Sequence, residues 1–315
     1  MKAILIISDG LGDRPVPELK GKTPLQAAKT PNLDRLAKEG RNGLMDVIAP
    51  GITPGSDTAH LTLFGYDPYE TYPGRGPLEA LGAGLELKHG NVAFRANFAT
   101  VDEKFIVQDR RAGRDISREE GLELEKVIDG IKIEDVVIHF KSTTEHRGAL
   151  VLDGDGLSAK VSDIDPHEVG KKVLEANALA PEAEKTARIL NEFVKIAYEK
   201  LKNLDVNRKR IERGRPPANV ILLRGPGQYH TVPKLQDKYG IKAAVLAANA
   251  LILGTALYAG MEHIKVEGQT GTIETNVDNI AKVALETLEK DYDFIFIHLK
   301  MTDNASHDHN YNDKI

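Results

Sequence analysis

The chain has 315 residues, enough for about two domains at ~150 residues each, and its 41% apolar and 28% charged residues are those of a folded chain, not a disordered one. The net charge of −5 gives no sign of a nucleic-acid partner, and no apolar run approaches the ~18–20 residues of a membrane span. Cysteine is absent, which excludes disulfides, zinc ribbons and thiol nucleophiles.

The N-terminal run Lys2-Ala3-Ile4-Leu5-Ile6-Ile7 reaches Ser8-Asp9-Gly10 too soon for a signal peptide, so the expected compartment is the cytoplasm. Residues 2–8 read as a buried parallel strand, a short unbroken apolar run that ends in a Gly-containing loop. Asp9 stands at the carboxyl end of that strand, where ligands bind in open α/β sheets. Thr30-Pro31-Asn32 starts a helix that stops at Gly40. A loop through Pro50-Gly51 and Pro54-Gly55 leads to Ser56, where a helix from Asp57 to Phe64 can begin.

After the Gly-, Pro- and Tyr-rich stretch 66–77 the texture changes. Residues 91–100, 104–108, 135–140 and 147–152 alternate like strands, with helices expected over 118–128 and 166–176. This α+β pattern differs from the βα alternation at the start and marks an inserted domain over residues 77–205, with residues 1–76 and 206–315 as the core. A long amphipathic helix is expected over 181–204, and the basic stretch Asn207 to Pro217 reads as the linker back. Strands at 220–223, 243–246 and 293–299, with helices over 249–259 and 277–289, then resume the first sheet.

Three groups of residues can carry chemistry. Asp303 and His307 form Asp-x-x-x-His after the last strand, a spacing that puts both side chains on one side of a helical turn. A carboxylate with a neutral imidazole suits Zn²⁺ or Mn²⁺; the other reading is the start of a polar helix, with Asp303 as cap and the histidines solvated. Ser56 reads either as a helix cap or as a nucleophile that needs a metal or base to activate it. No Gly-x-Ser-x-Gly elbow and no P-loop are present. Arg75, Arg95, Arg110, Arg111, Arg114, Arg147 and Arg224 form the third group, since guanidinium recognises phosphate and carboxylate bidentately; the other reading is solvated surface charge.

The segments Ser8-Asp9-Gly10-Leu11-Gly12-Asp13, Pro54-Gly55-Ser56-Asp57-Thr58-Ala59-His60-Leu61, Gly74-Arg75-Gly76-Pro77-Leu78-Glu79-Ala80 and Asp109-Arg110-Arg111-Ala112-Gly113-Arg114 resemble those of one family. It is the archaeal-type cofactor-independent phosphoglycerate mutases of the alkaline phosphatase superfamily, and the resemblance runs from residue 1 to about 309. The resemblance implies an α/β fold: a three-layer αβα core with a mainly parallel sheet, carrying an inserted α+β domain that closes over it. It also implies an isomerase that interconverts 3- and 2-phosphoglycerate through a phosphoserine, with two divalent metal ions (Mn, Zn, Co or Mg) and no organic cofactor. Asp9, Ser56, Asp303 and His307 match metal-site positions, with Ser56 the nucleophile; Arg111 and Arg114, then Arg75, Arg95, Arg147 and Arg224, are the substrate-holding arginines.

The family pattern includes a further Asp-His pair and another His downstream of Asp-x-x-x-His, yet Ile315 follows His309 by six residues. The chain is therefore expected to be shorter than the functional polypeptide and to have a weakened metal site. The rival readings are a metal-dependent phosphatase or other phosphomutase of the same superfamily, and a non-catalytic phosphometabolite-binding protein. The expected partner is a small phosphorylated metabolite, with neither nucleic acid nor membrane; the sequence leaves a homo-oligomer open.

Overall fold

A computed structural model describes residues 2–315. In chain order its strands are β1 (Ala3–Ser8), β2 (Val92–Val101), β3 (Val107–Asp109), β4 (Lys132–Ile133), β5 (Val136–Ser142), β6 (Arg147–Asp153), β7 (Val220–Gln228), β8 (Ala243–Leu246), β9 (Glu262–His263) and β10 (Phe294–Leu299). The chain divides into two compact units, one comprising the residues up to Pro68 with Pro233–Ile315, the other Tyr69–Val232. Among the described residues no helix is long and apolar enough to cross a membrane.

The first unit holds a parallel sheet in the order β1-β10-β8-β9. Successive side chains of a strand point to opposite faces, and β10 uses both. Ile295 and Ile297 pack with Ile280 and Ala284 of the helix Val277–Leu288. Phe296 and His298 face the other way, against His60 and Phe64 at the helix Ser56–Leu63; the Phe64 and Phe296 rings are 5.0 Å apart. The helix Ala250–Tyr258 packs on that same helix, giving the expected layering of helix, sheet and helix.

β1 departs from its reading as a buried strand. It pairs with β10 in register from Ala3↔Phe294 to Ser8↔Leu299, but it is the edge of the sheet, and Ile4 and Ile6 are 44% and 60% exposed. An apolar run records which residues can be buried; the neighbours decide which are, and here one edge and much of one face of β1 are open among the described residues.

The second unit is built on antiparallel pairing around β2, which pairs with β6, with β7 and, at its far end, with β3. One face of β2 presents Phe94, Ala96 and Phe98 to a core shared with Phe140, with Leu124 and Ile128 of the helix Arg118–Ile128, and with Leu190 and Phe193 of the helix Glu184–Leu201. The helix Arg118–Ile128 starts on a reciprocal cap, in which Ser117 Oγ accepts from Glu120 N and the Glu120 carboxylate accepts from Ser117 N. The opposite face presents Ala93, with Ala149 and Val151 of β6, to Ala80 of the helix Arg75–Gly82. That helix lies so close that a Cβ on Gly76 would fall 1.9 Å from the Ala93 carbonyl oxygen, so only glycine fits there.

Three sequence expectations are corrected in this unit. β7 does not resume the parallel sheet: it pairs with β2, with Arg224 opposite Arg95 and Val220 opposite Ala99, and it belongs to the compact unit Tyr69–Val232. Residues 166–176 are not helical. Gly170, at φ +84°, and His167, at φ +60°, interrupt the turn, and the segment lies extended along β3, with Val107 N donating to Lys171 O and Gly170 N to Val107 O. The stretch 207–217 is no solvated linker. It begins within the helix Asp205–Glu212, and Arg210 is fully buried, donating to Asp115 (2.6 Å), Glu120 (2.7 Å), Pro216 O (3.0 Å) and Ala112 O (2.8 Å).

Candidate active site

In the first unit the carboxyl ends of β1 and β10 lie side by side, and each runs into a functional segment. Asp9 N donates to Leu299 O, and Thr302 Oγ1 donates to Asp9 O. Gly10 takes φ +69°, and a Cβ on it would stand 2.6 Å from Asp303 Cα, so glycine is what lets the β1 loop touch the helix Met301–His307.

The contact brings Asp9 and Asp303 to one point. Both offer Oδ2 to the Lys300 ammonium, each at 2.6 Å. Burial works against the Lys300 charge, but the two carboxylates raise its pKa overall. Asp9 is held well below the usual carboxylate range, first by the His298 imidazole and then by Lys300, against the opposing effect of burial. His298 Nε2 stands 3.5 Å from Asp9 Oδ2, near enough to stabilise the carboxylate but without a satisfying hydrogen bond, and both ring nitrogens of this buried histidine lack a partner.

His298 also leads toward Ser56. Its ring is 5.3 Å from that of His60, whose Nδ1 is 2.6 Å from the Ser56 carbonyl oxygen one turn back. Burial pushes His60 down to about 4, so it is neutral at physiological pH, and its Nε2 has no partner. Ser56 is exposed and does not cap its helix: it is the first helical residue, and Gly55 holds the cap position. Asp303 likewise lies within the first turn of a helix whose cap position is Lys300. His307 is 81% exposed on its side chain and reaches Asp303 Oδ2 at 3.6 Å.

Asp9, Asp303 and His307 are side chains of the kind that can hold a cation, and here the two carboxylates hold the Lys300 ammonium. Two carboxylates converge on one positive atom, with orphaned imidazole nitrogen beside them, and His307 follows Asp303 by one turn. A cation between Asp9 and Asp303 fits these residues; a cluster of three or more His, Asp or Glu at metal-holding spacing does not form among the described residues.

The second unit gathers the arginines on the face of β2 that the helix Arg75–Gly82 only partly covers. Arg95 and Asn97 continue the face begun by Ala93, Arg224 stands opposite Arg95 on β7, and Arg147 stands opposite Asn97 on β6. Like charges directly across a ladder destabilise it, so this pairing is held against its own repulsion. Burial chiefly, and then Arg224, Arg75 and Arg147, push Arg95 down to about 10; Glu79 opposes them, 3.9 Å from Arg95 and 3.1 Å from Arg75. Burial likewise lowers Arg224.

Arg111 and Arg114 are exposed on a turn whose backbone is left-handed at Ala112 (φ 41°), Gly113 (φ 80°) and Arg114 (φ 55°). Non-glycine residues adopt that conformation only where their surroundings impose it. Here Arg210 grips Ala112 O, and Asp109 accepts from Arg111 N (2.7 Å) and Gly113 N (3.1 Å). Arg110 is committed elsewhere, bidentate to the fully buried Asp165 at 2.7 and 3.1 Å. The remaining guanidiniums exceed the carboxylates near them, which is the composition of a site for a multiply charged anion.

Sequence reasoning missed Lys300, His298, His60 and Glu79, and also His146, which is buried among the arginines. The i+4 spacing of Ser56 and His60 was a readable signal for one of them. The others are single residues in strands, turns or helices, and only the folded pairing reveals them.

A sequence profile of the 2,3-bisphosphoglycerate-independent phosphoglycerate mutases matches residues 37–207. A mutase of that name from Methanocaldococcus jannaschii is 55% identical over 312 residues, covering 98% of this chain and 75% of the relative. One from Ignicoccus hospitalis is 53% identical, covering all of this chain and 77% of the relative. Among solved structures, a protein from Pyrococcus horikoshii superposes with a TM-score of 0.81 at 42% identity, covering 99% of this chain and 74% of its own. The cofactor-independent phosphoglycerate mutase of Thermoplasma acidophilum gives 0.70 at 35% identity, over 99% and 81%. With half its sequence shared with enzymes of one name and its fold with a solved member, the chain belongs to the 2,3-bisphosphoglycerate-independent phosphoglycerate mutases.

Proposed function

We propose that the chain interconverts 3-phosphoglycerate and 2-phosphoglycerate through a phosphoserine at Ser56, with no bisphosphoglycerate. The observation that carries this reading is the convergence of Asp9 and Asp303 on one cation, connected to Ser56 through His298 and His60. Ser56 Oγ attacks the phosphorus of 3-phosphoglycerate and loses its proton. The bond to the C3 oxygen breaks, and that oxygen takes up a proton to become a glycerate hydroxyl. Glycerate reorients, its 2-hydroxyl oxygen attacks the phosphoserine as that proton departs, and the Ser56 hydroxyl is restored.

Asp9, Ser56, Asp303 and His307 are the residues that would hold divalent metal (Mn, Zn, Co or Mg), whose chemistry when bound is to acidify the serine hydroxyl and neutralise phosphoryl charge. The chain's own part is to keep the Asp9 carboxylate ionised through His298 and Lys300 and to keep His60 uncharged. The arginines of the second unit are, within that unit, groups suited to a carboxylate and a phosphate.

The test is mutase turnover with Mn²⁺ and without bisphosphoglycerate, followed by phosphoenzyme trapping with labelled 3-phosphoglycerate. Ser56→Ala is expected to abolish the phosphoenzyme and to cut turnover at least ~10³-fold. A labile phosphoryl group retained in that variant would rule Ser56 out. A phosphatase reading has one observation in its favour: Ser56 is exposed, and a phosphoserine open to water hydrolyses. Phosphate release outpacing 2-phosphoglycerate formation would select it.

A further inference from the structure

The arginine site of the second unit contains one side chain of a different kind. His146 sits at the end of the β5–β6 hairpin loop, where side chains are normally solvated, yet it is only 3% exposed. Its main chain is fixed, since its carbonyl accepts from Phe98 N at 2.7 Å, and the loop closes through Thr143 N to Arg147 O and Arg147 N to Thr144 O. The preceding Glu145 is left-handed at φ 54°, a second place where this site imposes an unfavourable backbone.

The imidazole has unspent hydrogen-bonding capacity. His146 Nδ1 has no hydrogen-bond partner; Glu145 Oε2 stands 3.6 Å from it and 3.6 Å from Arg147 Nη1, an ion pair without a hydrogen bond, and the buried Asn97 Oδ1, on the β2 residue opposite Arg147, also has none. Buried polar atoms without hydrogen-bond partners are rare in folded proteins, so an unspent Nδ1 on a side chain this buried marks a place for a group from outside. Burial first, and then the field of Arg147, Arg111, Arg114 and Arg95, push His146 down to about 3. Its electrostatic surroundings are those four guanidiniums and the Glu145 carboxylate, and the ring is uncharged.

An uncharged acceptor is what an anion site needs for its ligand's hydroxyl. A carboxylate in that place would repel the ligand's phosphate and carboxylate; a further guanidinium could only donate. We propose that His146 recognises the free hydroxyl of a phosphorylated hydroxy acid through Nδ1, while the arginines take its charged groups. The inference rests on the phosphoglycerate reading above and adds to it the residue that separates a hydroxy acid from its deoxy counterpart. His146 is a binding residue here, not a base, since an imidazole so far depressed removes no proton at neutral pH.

The test is calorimetric titration of the full chain with 3-phosphoglycerate and with its 2-deoxy analogue, 3-phosphooxypropanoate. The native chain should prefer 3-phosphoglycerate about tenfold, the scale of one buried hydrogen bond. His146→Phe should bring the two affinities within about twofold of each other and leave that for the analogue within about threefold. Asparagine sets a polar atom near the Nδ1 position and glutamine near Nε2. His146→Asn should therefore keep most of the preference and His146→Gln should lose it, a split that a purely structural role would not produce, and one that decides the matter if His146→Phe fails to fold. A preference retained in His146→Phe or His146→Gln overturns the proposal. So does a native chain that binds both ligands equally, which leaves the arginine site standing and removes His146 alone. A native chain that binds neither ligand overturns the substrate reading and this inference with it.

Discussion

β1 and β2 are both strands whose residues read as buried, and they end in different places. β2 lies inside its sheet, paired on both edges, with Phe94 and Phe98 fully enclosed. β1 is paired on one edge, and Ile6 is 60% exposed. Local sequence sets the strand and its alternation; the number of partners sets the burial. The same contrast runs through the chemistry. The first unit gathers acids around a cation at an open sheet end, whereas the second sets excess cations on a partly covered sheet face, with Arg95 largely buried.

The largest effect should come where burial is complete. Phe98 packs edge-on against Phe140 with ring centres 5.4 Å apart in the core of the second unit. Phe98→Ala is expected to cost about 3–5 kcal/mol through lost transfer energy and a residual cavity. Urea denaturation of the full chain measures it, and a loss below about 1 kcal/mol would mean that this core repacks.

Acid should act next, and on the first unit. His60 is almost fully buried and sits at about 4, below its ordinary 6.5. A group with a depressed folded pKa binds its proton more readily when unfolded, so its contribution is complete above the unfolded value and is lost as pH falls from about 6.5 toward 4. The expected loss is on the order of 3 kcal/mol across that window. His60→Gln should flatten the slope of stability between pH 6.5 and 4; an unchanged slope would place the titrating group elsewhere.

Much of this architecture was legible in advance. The apolar run of β10, the alternation of β5 and β6 and the Asp-x-x-x-His spacing gave elements and candidate residues directly, because period and side-chain type are local properties. β7 was assigned to the wrong sheet because a strand's partner is not written in its own residues. Arg210 was read as linker charge because a buried ion-paired arginine and a solvated one have the same sequence signature; Asp115 and Glu120, which enclose it, lie about ninety residues away. His146 went unnoticed for the same reason: its four arginine neighbours come from three separate segments.

The cost of the arginine site should be visible as a smaller effect of opposite sign. Arg95 is largely buried, stands opposite Arg224, and has one carboxylate for company at 3.9 Å. Arg95→Met removes a like-charge contact and keeps the apolar stem, so thermal stability without ligand should rise by about 1 kcal/mol while 3-phosphoglycerate affinity falls at least about tenfold. Stability and affinity falling together would mean that Arg95 is held by the fold and not kept for a ligand.

The smallest effect returns to β1. Ile6 is 60% exposed, so Ile6→Thr removes apolar surface that is mostly unburied, and stability should change by less than about 0.5 kcal/mol. The substitution keeps a β-branched residue, so strand propensity is nearly unchanged and the measurement isolates burial. A loss well above 1 kcal/mol, deepening as protein concentration rises, would mean that the face carrying Ile4 and Ile6 is covered by another copy of the chain. The contrast between the two strands would then be one of subunits rather than of sheets.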